Sequence, residues 1–358
     1  MTPLAHSPHA HAQVSVGQVM ATVMLALTPA TLFGFWLYGW PAINVWLVSL
    51  GVALLAESVT LRIMGRPIKA ALMDGSALLT AWLLALSLPP WAPWWLAAVG
   101  SLFAIVIAKQ IFGGLGQNLF NPAMAARVML LISFPLEMTS WIGAVPITSL
   151  AAPGFVDGLA ITFAGTAPAD GISSATLLGQ VKTDLGRGIG LDQILAGLYH
   201  PDAMAWGQRA GSLGETSALL LLAGGGVLIW RRIITWHIPV AMLAGVVVPA
   251  FLASLIDPAH APGPLYHLLS GGVILGAFFI ATDPVSSPNA ASGQLVFGLG
   301  CGLLTWIIRT WGGYPEGVAF AVMLMNAATP VIDRYLKPRI YGRDRKGVAL
   351  TPAKESGK

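Results

Sequence analysis

Residues 18–38 read QVMATVMLALTPATLFGFWLY, 21 residues without one acidic or basic side chain. A bilayer-spanning helix needs about 20 predominantly apolar residues, fewer if it is broken or covered by neighbours. Working outward, the pattern recurs. Spans are expected at Gln18–Tyr38, Pro41–Leu61, Ala70–Leu88, Pro93–Ala108 and Asn121–Phe134, then at Thr216–Trp230, Ile238–Ile256, Tyr266–Ala281, Gln294–Ile308 and Gly317–Ile332. The whole chain of 358 residues is 56% hydrophobic and 9% charged, where soluble domains carry about 25% charge. The sequence therefore predicts an all-α polytopic membrane protein of about ten transmembrane helices.

Charge sets the orientation. With the N-terminus inside, Arg62, Arg66 and Lys69 fall in a cytoplasmic loop after the second helix. Lys109 falls after the fourth helix, Arg231 and Arg232 after the sixth, and Arg334, Lys337, Arg339, Arg343, Arg345 and Lys346 in the tail. This is a positive-inside pattern. Arg309, at an outer helix end, runs against it and is expected to reach the headgroup region. The net charge of +4 is thus a topology signal and points to no nucleic acid. Residues 1–17 hold His6, His9 and His11 but no Lys or Arg, and read as a short cytoplasmic tail without a signal peptide.

Five segments follow. Residues 1–17 and 333–358 are cytoplasmic tails. Residues 18–134 and 216–332 are membrane halves of five helices each. Residues 135–215 form a periplasmic loop in a bacterial inner-membrane protein, expected to carry short helices lying on the membrane domain. The halves look weakly alike: Gly113-Gly114-Leu115-Gly116 precedes the fifth helix and Gly312-Gly313-Tyr314 the tenth, while Asp74 opens the third and Asp283 closes the eighth. Five is odd, so a repeat is inverted across the membrane. Gly- and Pro-interrupted segments at matching places mark a central site.

The loop contains Asp170-Gly171-Ile172-Ser173-Ser174-Ala175-Thr176. Small neighbours leave the Thr176 hydroxyl open. From the residues alone it is either a group-acceptor site or a helix N-cap, which Thr also favours. The motif resembles the signal for covalent flavin attachment. With Gly113–Met124, Ala281–Pro288, Tyr314–Phe320 and Asn326–Asp333, in that order, the chain resembles the RnfD/NqrB family of membrane proteins, found in Rnf complexes and in sodium-pumping NADH:quinone oxidoreductases. Ser174 departs from the glycine frequent there. The length favours the Rnf branch.

That resemblance implies FMN held on Thr176 as a phosphoester, with Asp170, Gly171, Ser173, Ser174 and Ala175 as the signal read by a flavin transferase. It implies a role without a catalytic acid, base or nucleophile: relaying electrons in a ferredoxin:NAD oxidoreductase coupled to sodium or proton movement. It also implies partners: an NADH-binding subunit, an iron–sulfur subunit, further membrane subunits and a second periplasmic FMN protein. A second, non-covalent flavin, riboflavin or FMN, is implied in the membrane domain. A transporter or channel is the competing reading, since inverted repeats with broken helices serve transport too.

Other residues keep two readings. Asn121 and Pro122 are an N-cap and first helical residue, or with Gln117 and Asn118 a polar lining for flavin or ion. Asp283 and Asp74 cap a helix terminus or hold a cation or flavin edge. Glu57 and Arg127 are intramembrane charges, paired or part of an ion path. Cys301 is a small buried hydrophobe. The histidines His200, His237, His260 and His267 offer no facing mid-helix pair for haem, and no metal site is expected.

Overall fold

The computed structural model describes residues 15–166, 173–174, 176–314 and 316–337. Helix α1, Val16–Ile63, runs for 48 residues, about 70 Å if straight, more than twice the bilayer core. Gly39 breaks it, at φ 71° and ψ −157°, a conformation open to glycine. Both arms meet helix α3, Ser76–Ser87. Near the break, Trp82 donates to Thr31 Oγ1 at 2.9 Å and packs edge-on against Trp46. At the far end, Gly75 rests on Met20 while Ser76 shares Lys109 with Glu57. The arms therefore run antiparallel, and one glycine joins what the sequence divided into two helices.

The third helix differs from expectation. The stretch Ala70–Leu88 is split into α2, Ile68–Leu72, and α3, with Gly75 left-handed at φ 76°. Asp74 causes the split: its Oδ1 accepts the Ser76 N–H at 2.7 Å and the Ser76 hydroxyl at 2.5 Å, a local turn that competes with helix. Helix α4, Trp94–Leu102, continues as a π-helix over Phe103–Gln110, and α5 spans Pro122–Ser133. Outside the apolar bundle lie α6 (Pro135–Thr139), β1 (Trp141–Ile142), α7 (Phe155–Leu159), β2 (Ser173–Ser174), α8 (Leu177–Gly186), α9 (Leu191–Leu198) and α10 (Pro201–Trp206). The strands pair antiparallel, Trp141 with Ser174 and Ile142 with Ser173. Short helices do lie on the bundle: Asn44 in the second arm of α1 donates to the Gly158 carbonyl of α7 at 3.2 Å.

The second half holds α11 (Ala218–Trp230), α12 (His237–Ile256), α13 (Pro264–Leu269), α14 (Val273–Leu275), α15 (Ala291–Trp311) and α16 (Val318–Tyr335). The expected eighth helix, Tyr266–Ala281, is again broken. Gly271 is left-handed at φ 64° between α13 and α14, and a π-turn over Gly276–Ile280 follows. Each half thus breaks its third helix at a left-handed glycine. Helix α1 packs on α11, and α5 on α16, bringing first to first and fifth to fifth. Between α12 and α15 the backbones touch, because a Cβ on Gly302 would strike the Met242 carbonyl; small residues permit such approach in membrane bundles.

Leu27, Leu84, Leu96, Met242 and Val322 fill the core, with Cys301 a buried free thiol. The outside is apolar as well: Leu25 is 70% exposed, Leu55 66% and Ile256 84%. Helices apolar on both faces suit a lipid solvent. Helices α1, α12 and α15 are each long and apolar enough to cross a membrane.

Candidate functional site

Thr176 is the N-cap of α8. Its Oγ1 accepts the Gly179 N–H at 3.1 Å, and the residue is 7% exposed. The open hydroxyl expected from sequence is therefore tucked over the first turn, where a cap oxygen satisfies an orphan amide. Glycine at 179 keeps that space, since a Cβ there would stand 3.2 Å from Thr176 Oγ1. Ser173 and Ser174 lie in β2. Asp170, Gly171 and Ala175 lie outside the described residues.

Helix α8 is bound to the second half at two points. Tyr266 donates to the Leu177 carbonyl at 3.4 Å. Lys182 Nζ donates to the carbonyls of Arg309 (3.2 Å), Gly312 and Tyr314, closing the C-terminal end of α15. Partial burial lowers the Lys182 pKa from the ordinary lysine value; carbonyl partners and the negative end of α15 oppose that cost. Between α8, α13 and α15 is a cavity of about 380 Å³, lined by Leu178, Val181 and Lys182 on one side and Tyr266, His267 and Arg309 on the other.

Arg309 is a correction to the sequence reading. It does not reach outward; it is 5% exposed. Its guanidinium donates to the carbonyls of His267 (2.7 Å) and Ser270 (2.9 Å), and pairs with Glu316 at 2.9 Å. The break in the eighth helix frees those carbonyls, and irregular backbone at membrane depth must find partners. Glu316 closes the circuit by accepting the Gly272, Gly317 and Val318 amides at 2.9–3.2 Å. Glu316 lies inside the Tyr314–Phe320 motif, but the sequence reading gave it no role of its own; its place seven residues after Arg309, beyond a glycine pair, was the available signal for the ion pair.

The other end of the bundle repeats the arrangement. Lys109, expected in a loop, ends the π-helix and is 2% exposed. It pairs with Glu57 at 2.9 and 3.1 Å and donates to Ser76 Oγ at 2.7 Å, beside the break in the third helix. Gln110 Nε2 adds a bond to Glu57 at 2.7 Å. The wider π-turn lets two consecutive side chains reach one carboxylate. Glu57 is therefore paired with Lys109, not with Arg127.

Asn118, Asn121 and Asp283 meet at this end, around a cleft of about 90 Å³ that Lys109 also lines. Gln117 is exposed and does not join them. All three bond to nearby backbone, and Asp283 also to a serine hydroxyl. Asn121 Oδ1 accepts the Ala123 and Met124 amides, and its Nδ2 donates to the Ile280 carbonyl at 3.4 Å. Asp283 accepts the Val285 N–H and the Ser286 hydroxyl. Asn118 Nδ2 donates to the Phe120 carbonyl. Three motifs converge here: the Asn326 amide, oriented to satisfy its neighbours, accepts from the Asn121 N–H at 3.0 Å, and Thr329 donates to the Ser286 carbonyl at 3.0 Å.

Comparison with known proteins finds relatives along nearly the whole chain. The family model described as "NQR2, RnfD, RnfE family" matches residues 3–342. A Stutzerimonas stutzeri protein, named as the D component of an ion-translocating oxidoreductase complex, is 55% identical over 340 residues, 95% of this chain and 96% of its own. Proteins of the same name from Halorhodospira halophila and Escherichia coli K12 are 50% and 44% identical, each over 355 residues and 99% of their own length.

Proposed function

Because the chain belongs to the NQR2, RnfD, RnfE family, we propose that it is the membrane subunit of an ion-translocating electron-transport complex and carries FMN as a phosphoester on Thr176. Its named relatives are the D component of such complexes, which favours the Rnf branch over the quinone-reducing one. One observation supports the flavin reading: Thr176 stands at the N-terminus of α8, its oxygen on the first-turn amide of Gly179, where the absence of a Cβ leaves it uncrowded. Helix N-termini favour phosphate, through free amides and the helix dipole. FMN supplies one- or two-electron exchange when bound.

The residues of this chain position and insulate. Gly179 and the first amides of α8 hold the phosphoryl end. Lys182 and Tyr266 fix α8 against the second half. Ten spans in two inverted repeats of five place the termini in the cytoplasm and residues 135–215 in the periplasm. The matched breaks at Gly75 and Gly271 and the matched basic residues Lys109 and Arg309 support that repeat. With a single cysteine, iron–sulfur clusters belong to partner subunits, as does NADH binding. Sodium or proton movement is coupled to this relay within the assembled complex.

The test is intact mass and ultraviolet fluorescence of the denatured chain, produced with a flavin transferase. The added mass of FMN and a fluorescent band are expected for the native chain. Thr176→Val abolishes both while the chain remains membrane-inserted. A native chain without either signal overturns the flavin reading and leaves the transporter reading. Fluorescence retained in Thr176→Val moves the attachment site elsewhere.

A further inference from the structure

The turn joining α11 to α12 carries more charge and more order than a short connection needs. Helix α11 ends at Trp230 and α12 begins at His237, and both helices are apolar, so residues 231–236 lie where bilayer meets water. Trp230 is 77% exposed and Trp236 51%, and indole rings favour that headgroup level. Between them Arg231 and Arg232 are both exposed. Neither guanidinium belongs to an ion pair among the described residues. The nearest acidic residues in sequence, Glu215 and Asp257, stand beyond the far ends of the two helices.

Arg232 is held in a conformation that arginine disfavours. Its φ is 56°, the one positive value among the described residues other than glycine. The Arg232 amide donates to the Ile229 carbonyl and the Ile233 amide to the Leu228 carbonyl, each at 2.9 Å. These are the paired bonds that end a helix on a left-handed residue, and glycine is the usual residue there because a Cβ crowds the backbone. A basic residue at any position of the loop would serve orientation. Orientation therefore does not explain an arginine at the one place that favours glycine.

The turn is also anchored. Ile233 and Ile234 fold back against the core, and Thr235 Oγ1 donates to Gln294 Oε1 at 2.7 Å. Arg231 lies over the Trp230 ring, its Cζ 5.7 Å from the centroid, an attraction between cation and ring face. Two adjacent arginines thus stand on a fixed turn at headgroup level. A site ordered before its ligand arrives loses less on binding.

The guanidinium fork matches the oxygens of a phosphate, and phosphate is the anion of the headgroup layer. A zwitterionic lipid would also bring its ammonium group to two positive side chains, whereas an anionic lipid brings none. We propose that Trp230–Trp236 form a binding site for the phosphate of an anionic phospholipid, held by Arg231 and Arg232. The site stands apart from Thr176 and needs no flavin.

The test titrates the full chain in dodecyl maltoside with phosphatidylglycerol and, separately, with phosphatidylcholine, reading bound lipid by native mass spectrometry. The native chain should prefer phosphatidylglycerol. Each arginine near an anionic lipid surface is worth about fivefold in affinity, so Arg231→Gln with Arg232→Gln should weaken phosphatidylglycerol binding about 25-fold and leave phosphatidylcholine unchanged. Arg232→Gly puts the favoured residue into the turn. It should hold or raise the midpoint of thermal unfolding while lowering phosphatidylglycerol affinity about fivefold, so the loss of binding is not a loss of fold. Equal affinity of the native chain for the two lipids overturns the proposal, as does unchanged phosphatidylglycerol affinity in Arg232→Gly. Inorganic phosphate that displaces the lipid at equal concentration shows a free-phosphate site and overturns the lipid assignment. Selectivity lost when the assembled complex is titrated instead marks the turn as a subunit contact and overturns it too.

Discussion

Lys109→Met should be among the most damaging single changes in the first half. The Lys109 ammonium meets both Glu57 oxygens at 2.9 and 3.1 Å and Ser76 at 2.7 Å, with the two charged side chains only 2% and 1% exposed. Methionine keeps the volume of the stem and removes the charge. Glu57 is then left with Gln110 alone, an uncompensated carboxylate at membrane depth. Breaking such a buried pair from one side costs about 3–5 kcal/mol, a factor of at least about a hundred in the folding equilibrium. Removing both charges, as Glu57→Leu with Lys109→Met, should cost far less, because a well-packed apolar replacement of a buried ion pair is often near neutral. The coupling in this cycle should reach about 2 kcal/mol or more. Titration with sodium dodecyl sulfate, followed by the fluorescence of the 13 tryptophans, measures all four corners. A single-variant cost below about 1 kcal/mol, or a double variant equal to the sum of the singles, would refute the pairing as an energetic unit.

Other consequences are smaller in scope. Gly179→Val should lower flavin incorporation severalfold more than Gly179→Ala, since both crowd Thr176 Oγ1 but only valine adds branches; in-gel fluorescence per folded chain reads this, and equal incorporation refutes it. Gly271→Ala should destabilise by about 1–3 kcal/mol through its left-handed φ of 64°, with added collision against Glu316 and Arg309; an unchanged midpoint in the same titration contradicts it. Lys182→Met should free α8 from the end of α15 and speed tryptic cleavage after Arg187 about tenfold or more, given the worth of charged hydrogen bonds; unchanged cleavage would show that the tie is not what holds α8. A reporter fused near Asp184 should read periplasmic and one at the C-terminus cytoplasmic, and either reversed overturns the orientation.

The apolar runs were legible because a spanning helix needs length and little else, and α5, α11, α12, α15 and α16 fall close to the expected limits. Asn121 and Pro122 also read correctly as cap and first residue, since both signals are local. Lys109 and Arg309 were not legible. Loop-charge reasoning assigns every basic residue near a helix end to water, whereas these two turn inward to a carboxylate that is 52 residues away for Lys109 and 7 for Arg309. The interruption of the third and eighth helices was visible only as glycines near an Asp or Ser. Hydropathy averages over such sites, and a single left-handed residue changes the path of the chain without changing the average. At Thr176 both readings, cap and acceptor, are compatible with one geometry, so sequence had no means to choose between them.

The capping bond of Thr176 bears on the order of maturation. An ester oxygen keeps a lone pair, so it can still accept from the Gly179 amide after a phosphoryl group replaces the hydroxyl hydrogen. Under the proposed modification the first turn of α8 need not unwind to receive its cargo or rewind afterwards. Attachment then belongs to finishing rather than to folding. A bare chain can be inserted, packed and inspected by the cell's quality control before any cofactor is committed to it, and a shortage of flavin leaves apoprotein waiting instead of debris.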